Sequence, residues 1–170
     1  CWANEDWTRS WDGATGEVAP SPAWWDGRVY AVNVGSRLYC HRVHGTVEQL
    51  WDYVGRLSET ASPVAVDGLL FMTNANGFFT CLDATTGERV WTERIAGGYA
   101  SLLSSGGRIY ALARNGTMQI VAAERTYRPI ATCALGEDAD ATPAMTADGR
   151  MFIRGSKHLW CIDGKTPGEP

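Results

Sequence analysis

The side chains able to do chemistry are few and scattered. His41 and His44 lie close together, and imidazole is a common zinc ligand. A metal needs such ligands on one side of a fixed element, with further ligands nearby, and this stretch supplies neither. His41 and His44 read instead as solvated residues flanking a turn between two strands. The five cysteines contain no C-x-x-C pair. Serine, histidine and aspartate are all present, but the Gly-x-Ser-x-Gly elbow is absent, as are the Walker loop and the dinucleotide fingerprint. Glu137, Asp138 and Asp140 form an acidic loop that reads as solvated. Asn115-Gly116-Thr117 has the form of a glycosylation acceptor, but a hairpin turn explains it better. The sequence therefore assigns no catalytic, cofactor-binding or metal-binding residue.

What positions these residues is a repeat. Ser21-Pro22, Ser62-Pro63, Ser101-Leu102 and Thr142-Pro143 are spaced 41, 39 and 41 residues apart. Soon after each comes Asp26-Gly27, Asp67-Gly68, Gly106-Gly107 or Asp148-Gly149, and then a short apolar run: RVYAV, LLFMT, RIYAL, RMFIR. A period of this length marks a repeat architecture. Each period holds four short strands. In the unit from Ser62 to Arg94 they are Pro63–Val66, Leu69–Thr73, Phe78–Leu82 and Arg89–Glu93, turned by Asp67-Gly68, Asn76-Gly77 and the stretch around Gly87. Asp-Gly and Asn-Gly between apolar runs signal type I′ hairpins, which need positive φ at both central residues. No stretch has helical periodicity. Such small antiparallel sheets cannot bury both faces alone, and stacking them radially makes a propeller.

The spacing divides the 170 residues into one propeller domain or part-domain. Residues 1–20 carry a closing outer strand, Trp7 to Asp12, and a linker. Residues 21–60, 61–100 and 101–141 are full blades, and 142–163 give three strands of a last one. The tail at 164–170, rich in Gly and Pro, forbids a fourth. Pairing the N-terminal strand with that last blade would remove an open sheet edge. Trp24 and Trp25 fall on an innermost strand, where one should pack between blades while the other faces the channel. In the 101–141 unit the closing tryptophan is replaced by Ile130, and Thr126 to Arg128 stand for the Thr-Gly turn.

Composition excludes several classes. A net charge of −4 argues against a nucleic-acid binder, and no apolar run is long enough for a membrane helix. Cys1, Cys40, Cys81 and Cys161 share one repeat position, too far apart on successive blades for disulfides. They read as small buried apolar residues. Cys1 could carry a lipid, but its register with Cys81 makes it a repeat residue.

The eleven residues CLDATTGERVW at 81–91 resemble the tryptophan-docking motif of the pyrroloquinoline-quinone (PQQ) propeller repeat, A-x-D-x-x-T-G-x-x-x-W. Cys81 stands for the alanine, Asp83, Thr86 and Gly87 match, and Trp91 is the docking residue. Trp11 and Trp51 match at the closing position only. SPVAVDG, TPAMTADG and KHLWCI are similar to the same family. The resemblance implies an all-β propeller with about four blades in this chain, half of a seven- or eight-bladed ring or a ring completed by a second copy. It implies tryptophans packed on neighbouring blades. Three functions follow from it. One is a non-enzymatic scaffold similar to the BamB-type assembly lipoproteins, binding protein partners through loops and channel mouth, without cofactor, in the periplasm or outside the cell. The second is a fragment of a PQQ-dependent dehydrogenase, a family whose pocket uses adjacent cysteines and a calcium held by Glu, Asn and Asp. No Cys-Cys pair is present here. The third is a small-ligand sensor domain.

Overall fold

The computed structural model describes residues 19–33, 37–44 and 46–163. All the regular structure there is β. Strands β1 (Ala23–Trp25), β2 (Arg28–Asn33), β3 (Arg37–His44) and β4 (Thr46–Tyr53) form the first sheet. The second has β5 (Val64–Val66), β6 (Leu69–Thr73), β7 (Phe78–Asp83) and β8 (Arg89–Arg94). The third has β9 (Leu103–Ser105), β10 (Arg108–Leu112), β11 (Thr117–Ala122) and β12 (Pro129–Ala134). The fourth has β13 (Ala144–Met145), β14 (Met151–Arg154) and β15 (Leu159–Ile162). Each is an antiparallel meander in sequence order, and β1, β5 and β9 lie side by side as innermost strands. These are four blades of a β-propeller. The N-terminal strand expected at Trp7–Asp12, and its closure of the last blade, lie outside the described residues.

The turns explain the meander. Asp26-Gly27, Asp67-Gly68 and Gly106-Gly107 have positive φ at both residues, the type I′ geometry that joins β1 to β2 and its equivalents. Asn76-Gly77, Asn115-Gly116 and Asp148-Gly149 differ from expectation, because only the glycine is left-handed. At the first of these Gly77 N–H closes on the Asn74 carbonyl at 3.0 Å and Phe78 N–H on Asn74 Oδ1 at 3.0 Å. The side chain of Asn74 thus completes a longer loop than the dipeptide suggests.

Strand register makes the repeat visible in three dimensions. Across the first sheet Ala23, Tyr30, Cys40 and Trp51 pair in a row. Val64, Phe71, Cys81 and Trp91 do so in the second, and Leu103, Tyr110, Ile120 and Ala131 in the third. The fourth continues Ala144, Phe152, Cys161. A bulge follows the third member of the row in each complete sheet, at Cys40/His41, Cys81/Leu82 and Ile120/Val121. Leu50, Val90 and Ile130 are the unpaired extra residues, so the residue standing in the tryptophan position of the third sheet is Ala131, not Ile130. Ile130 points to solvent at 42% exposure.

The core lies between sheets, not within them. Tyr30, Val32, Leu38 and Cys40 pack on Leu70, Met72, Leu82 and Ala84 of the second sheet. Leu69, Phe71, Phe79, Cys81 and Trp91 pack on Leu102, Ile109, Ala111 and Val121 of the third. Leu112 and Met118 meet Met151 and Ile153 of the fourth. In the second and third sheets alternation along the inner strands thus buries both faces, one against each neighbour.

Candidate functional site

The turn after β7 is built around Asp83. Its Oδ1 accepts the Thr85 and Thr86 amides at 2.8 and 3.0 Å, and its carbonyl accepts Gly87 N–H at 2.8 Å. Oδ2 takes Arg125 Nη1 from the following sheet at 2.7 Å. Burial pushes the Asp83 carboxyl up, but Arg125 and the two amides outweigh it and hold the group below its ordinary value. Gly87 has φ +76°, and a Cβ there would come within 2.6 Å of the Trp51 ring of the preceding sheet. Only glycine satisfies both conditions.

Two indoles reach forward from one sheet to the next. Trp51 covers Gly87 and stacks on Tyr30, centroids 5.7 Å apart, while Tyr30 Oη donates to the Ala84 carbonyl at 3.0 Å. Trp91 is 9% exposed and sits among Phe71, Phe79 and Tyr127 at 5.9, 5.2 and 5.2 Å. Its Nε1 donates to the Glu124 carbonyl of the third sheet at 3.3 Å. Trp51 Nε1 is buried without a hydrogen-bond partner. Of the sequence-predicted motif, Trp51, Cys81, Asp83, Thr86, Gly87 and Trp91 therefore meet at two successive interfaces, and Trp11 lies outside the described residues.

A second set of links follows the Ser/Thr spacing. Ser21 N–H donates to Ser62 Oγ, Ser62 N–H to Ser101 Oγ and Ser101 N–H to Thr142 Oγ1, each at 2.9 Å. Each hydroxyl satisfies the backbone donor that opens the preceding blade. The 41-, 39- and 41-residue intervals were legible as a period, but their bonding was not.

Several expectations are corrected. His41 is a buried residue of β3, not a solvated turn residue, and its burial lowers its affinity for a proton. His44 is exposed and is the last residue of β3. Cys40 and Cys81 are buried as expected, free thiols pushed up by burial to about 11 and about 12, which keeps them protonated and inert. Cys161 shares their register but is exposed. Glu137 is not a solvated loop residue. Its side chain is 5% exposed and accepts Trp160 Nε1 at 2.5 Å and Lys157 N–H at 2.7 Å, with His158 Nδ1 at 3.2 Å. Burial pushes its carboxyl up, but these bonds prevail and hold it below the ordinary glutamate value. Nothing in the local sequence marks Glu137, because its donors lie 20 to 23 residues away.

Trp24 is 58% exposed, whereas Trp25 packs near Gly68 of the next sheet. The end of the blades that carries the linkers presents a different surface. Arg56 and Arg94 cover Phe78, with guanidinium carbons 3.6 and 4.2 Å from its centroid. Arg114 lies 5.2 Å from the centroid of exposed Tyr99, and Val54 is 63% exposed. Arginine and aromatic residues together are the usual composition of a protein-binding surface.

Among the described residues no group of three or more His, Cys, Asp or Glu is placed to hold a metal, and no helix is long and apolar enough to cross a membrane. Asp83 already holds two amides and Arg125, and Glu137 already holds Lys157 N–H and Trp160 Nε1, so these two carboxylates do not fit a calcium ligand set.

Residues 4–93 and 48–128 match the family model for the outer membrane protein assembly factor BamB. No curated protein matches the sequence. Among solved structures, BamB from Moraxella catarrhalis superposes with TM-score 0.70 at 13% identity, over 85% of this chain and 42% of that one. The computationally designed Ika4 protein gives TM-score 0.67 at 14% identity, over 89% of this chain and 95% of that one. Quinohemoprotein alcohol dehydrogenase ADHIIG from Pseudomonas putida HK5 gives 0.65 at 13% identity, over 81% and 28%. The chain thus spans less than half of BamB and of the dehydrogenase, and at these identities the likeness is one of fold.

Proposed function

The chain belongs to the PQQ-like propeller family of the outer membrane protein assembly factor BamB, and from that premise we propose that it is a non-enzymatic scaffold that binds protein partners. The observation that carries this reading is the use made of its polar side chains. Asp83, Glu137 and the Ser62, Ser101 and Thr142 hydroxyls are all spent on joining blade to blade or ordering turns. These five side chains serve the fold rather than a reaction. Together they build a rigid body whose linker end offers Arg56, Phe78, Arg94, Tyr99 and Arg114 as a contact surface.

In this reading Trp51 and Trp91 are docking residues, with Cys81, Asp83, Thr86 and Gly87 shaping the turn that receives or launches them. Trp11 takes the same role at the chain's start. The blades run over 21–60, 61–100, 101–141 and from 142 to 163, and a second copy or further blades complete the ring. The protein works outside the cytoplasm, as this family generally does.

The test is photo-crosslinking in cells from Val54 and Tyr99 at the linker end, and from Asp26 and Asp148 at the opposite end. The proposal expects adducts to the same proteins from both linker-end positions and none from the others. Calcium-dependent binding of the quinone by the purified chain, with no protein adducts, would overturn it in favour of the dehydrogenase-fragment reading, which the likeness to ADHIIG motivates.

A further inference from the structure

The third and fourth sheets enclose an apolar cleft of about 210 Å³. Tyr110, Met118, Ile120 and Cys133 line it from one side, Met145, Met151, Ile153 and Ile162 from the other. We propose that this cleft binds a small planar aromatic molecule of about the size of indole.

The argument is one of register. At the two preceding interfaces an indole fills this place. Trp91 touches Phe71 and Phe79, and Trp51 touches Tyr30. The residues equivalent to Phe71 and Phe79 in the third sheet are Tyr110 and Met118, by their pairing with Ile120 and Leu112. Both line the cleft. The residue equivalent to Trp51 and Trp91 is Ala131. The third sheet thus keeps its own wall of an indole site and lacks the indole. Ile120, larger than Cys40 and Cys81 in the same register, refills only part of it.

Volume and chemistry agree with an aromatic occupant. An apolar cavity of about 150 Å³ takes benzene, and this cleft is larger. Three of the chain's four methionines line it. Thioethers make favourable contacts with ring edges and adapt to the shape of a guest. The lining offers little to fix a charged or strongly polar ligand. Cys133 is exposed at the rim, so the cleft is open to solvent there.

The test uses indole itself. Bound indole covers the rim, so maleimide labelling of Cys133 slows by about tenfold when indole stands at about ten times its dissociation constant. Labelling of Cys161, which is equally exposed but outside the cleft, keeps its rate. The melting temperature rises with indole concentration. Ala131→Trp, which fills the place from within, loses both effects. Ala134→Trp, which enlarges a small residue of the lining itself, should also lose them, which keeps the test usable if the first variant fails to fold. Unchanged Cys133 labelling at the solubility limit of indole would overturn the proposal. So would protection that survives in a folded Ala131→Trp or Ala134→Trp variant, or equal slowing at Cys133 and Cys161.

Discussion

Trp91 and Trp160 both end between neighbouring blades, but they arrive from opposite sides. Trp91 leaves the outer strand of the second sheet, fills an aromatic box and donates to a backbone carbonyl of the third. Trp160 stands on the fourth sheet and reaches back to the carboxylate of Glu137, in the linker before it. The first interface combines an aromatic box, a neutral hydrogen bond at its edge and the Asp83–Arg125 pair between the sheets. The second lacks the forward tryptophan, and beside its apolar cluster it carries a charge-assisted bond from an indole to a carboxylate. A repeat fold can thus set a carboxylate where a docking ring is missing, and the indole contact there then depends on pH.

The largest expected effect is at the first interface. Trp91→Ala should lower stability by about 3–5 kcal/mol, because a large buried ring leaves a cavity between two blades. Denaturant unfolding measures it, and a midpoint equal to wild type would break the comparison. Gly87→Ala comes next, at about 1–3 kcal/mol, because it combines left-handed strain with a clash against Trp51. If its unfolding midpoint is unmoved, the contact between Trp51 and the Gly87 turn is not tight.

Acid should separate the two interfaces. The Glu137 carboxyl is held below its ordinary value of 4.5 in the folded chain, so its contribution is fully present above that pH. It is lost as pH falls through the depressed folded value. Asp83 follows the same sign, but its loss loosens the turn and the link to Arg125 while the apolar Trp91 box stays in place. Glu137→Gln should therefore lower the melting temperature at pH 7 and converge with wild type in acid. A constant difference across pH would show that the charge of Glu137 is not what holds Trp160. The smallest effect is expected at the hydroxyl seam, where Ser101→Ala removes the acceptor for Ser62 N–H. It should cost about 1 kcal/mol, and Thr142→Val, which does the same for Ser101 N–H, should match it. Unequal costs would mean that the two interfaces differ at the channel as well as at the outer edge.

The sequence by itself determined the period, the strand pairs and the shape of the Asp83 turn. These depend on residues a few positions apart, where alternation, Asp-Gly dipeptides and the needs of Gly87 act locally. Tertiary structure alone decided which side chains bridge the blades. Pairing across the strands put Ala131 in the vacant tryptophan position and left Ile130 as the unpaired bulge residue. The linker that reads as solvated put Glu137 under Trp160. Burial in β3 took His41 out of solvent. The seam of hydroxyls joins residues 39 and 41 apart, and Asp83 meets Arg125 across 42. Such contacts carry no local signature, because it is the stacking of whole blades that brings the partners within reach.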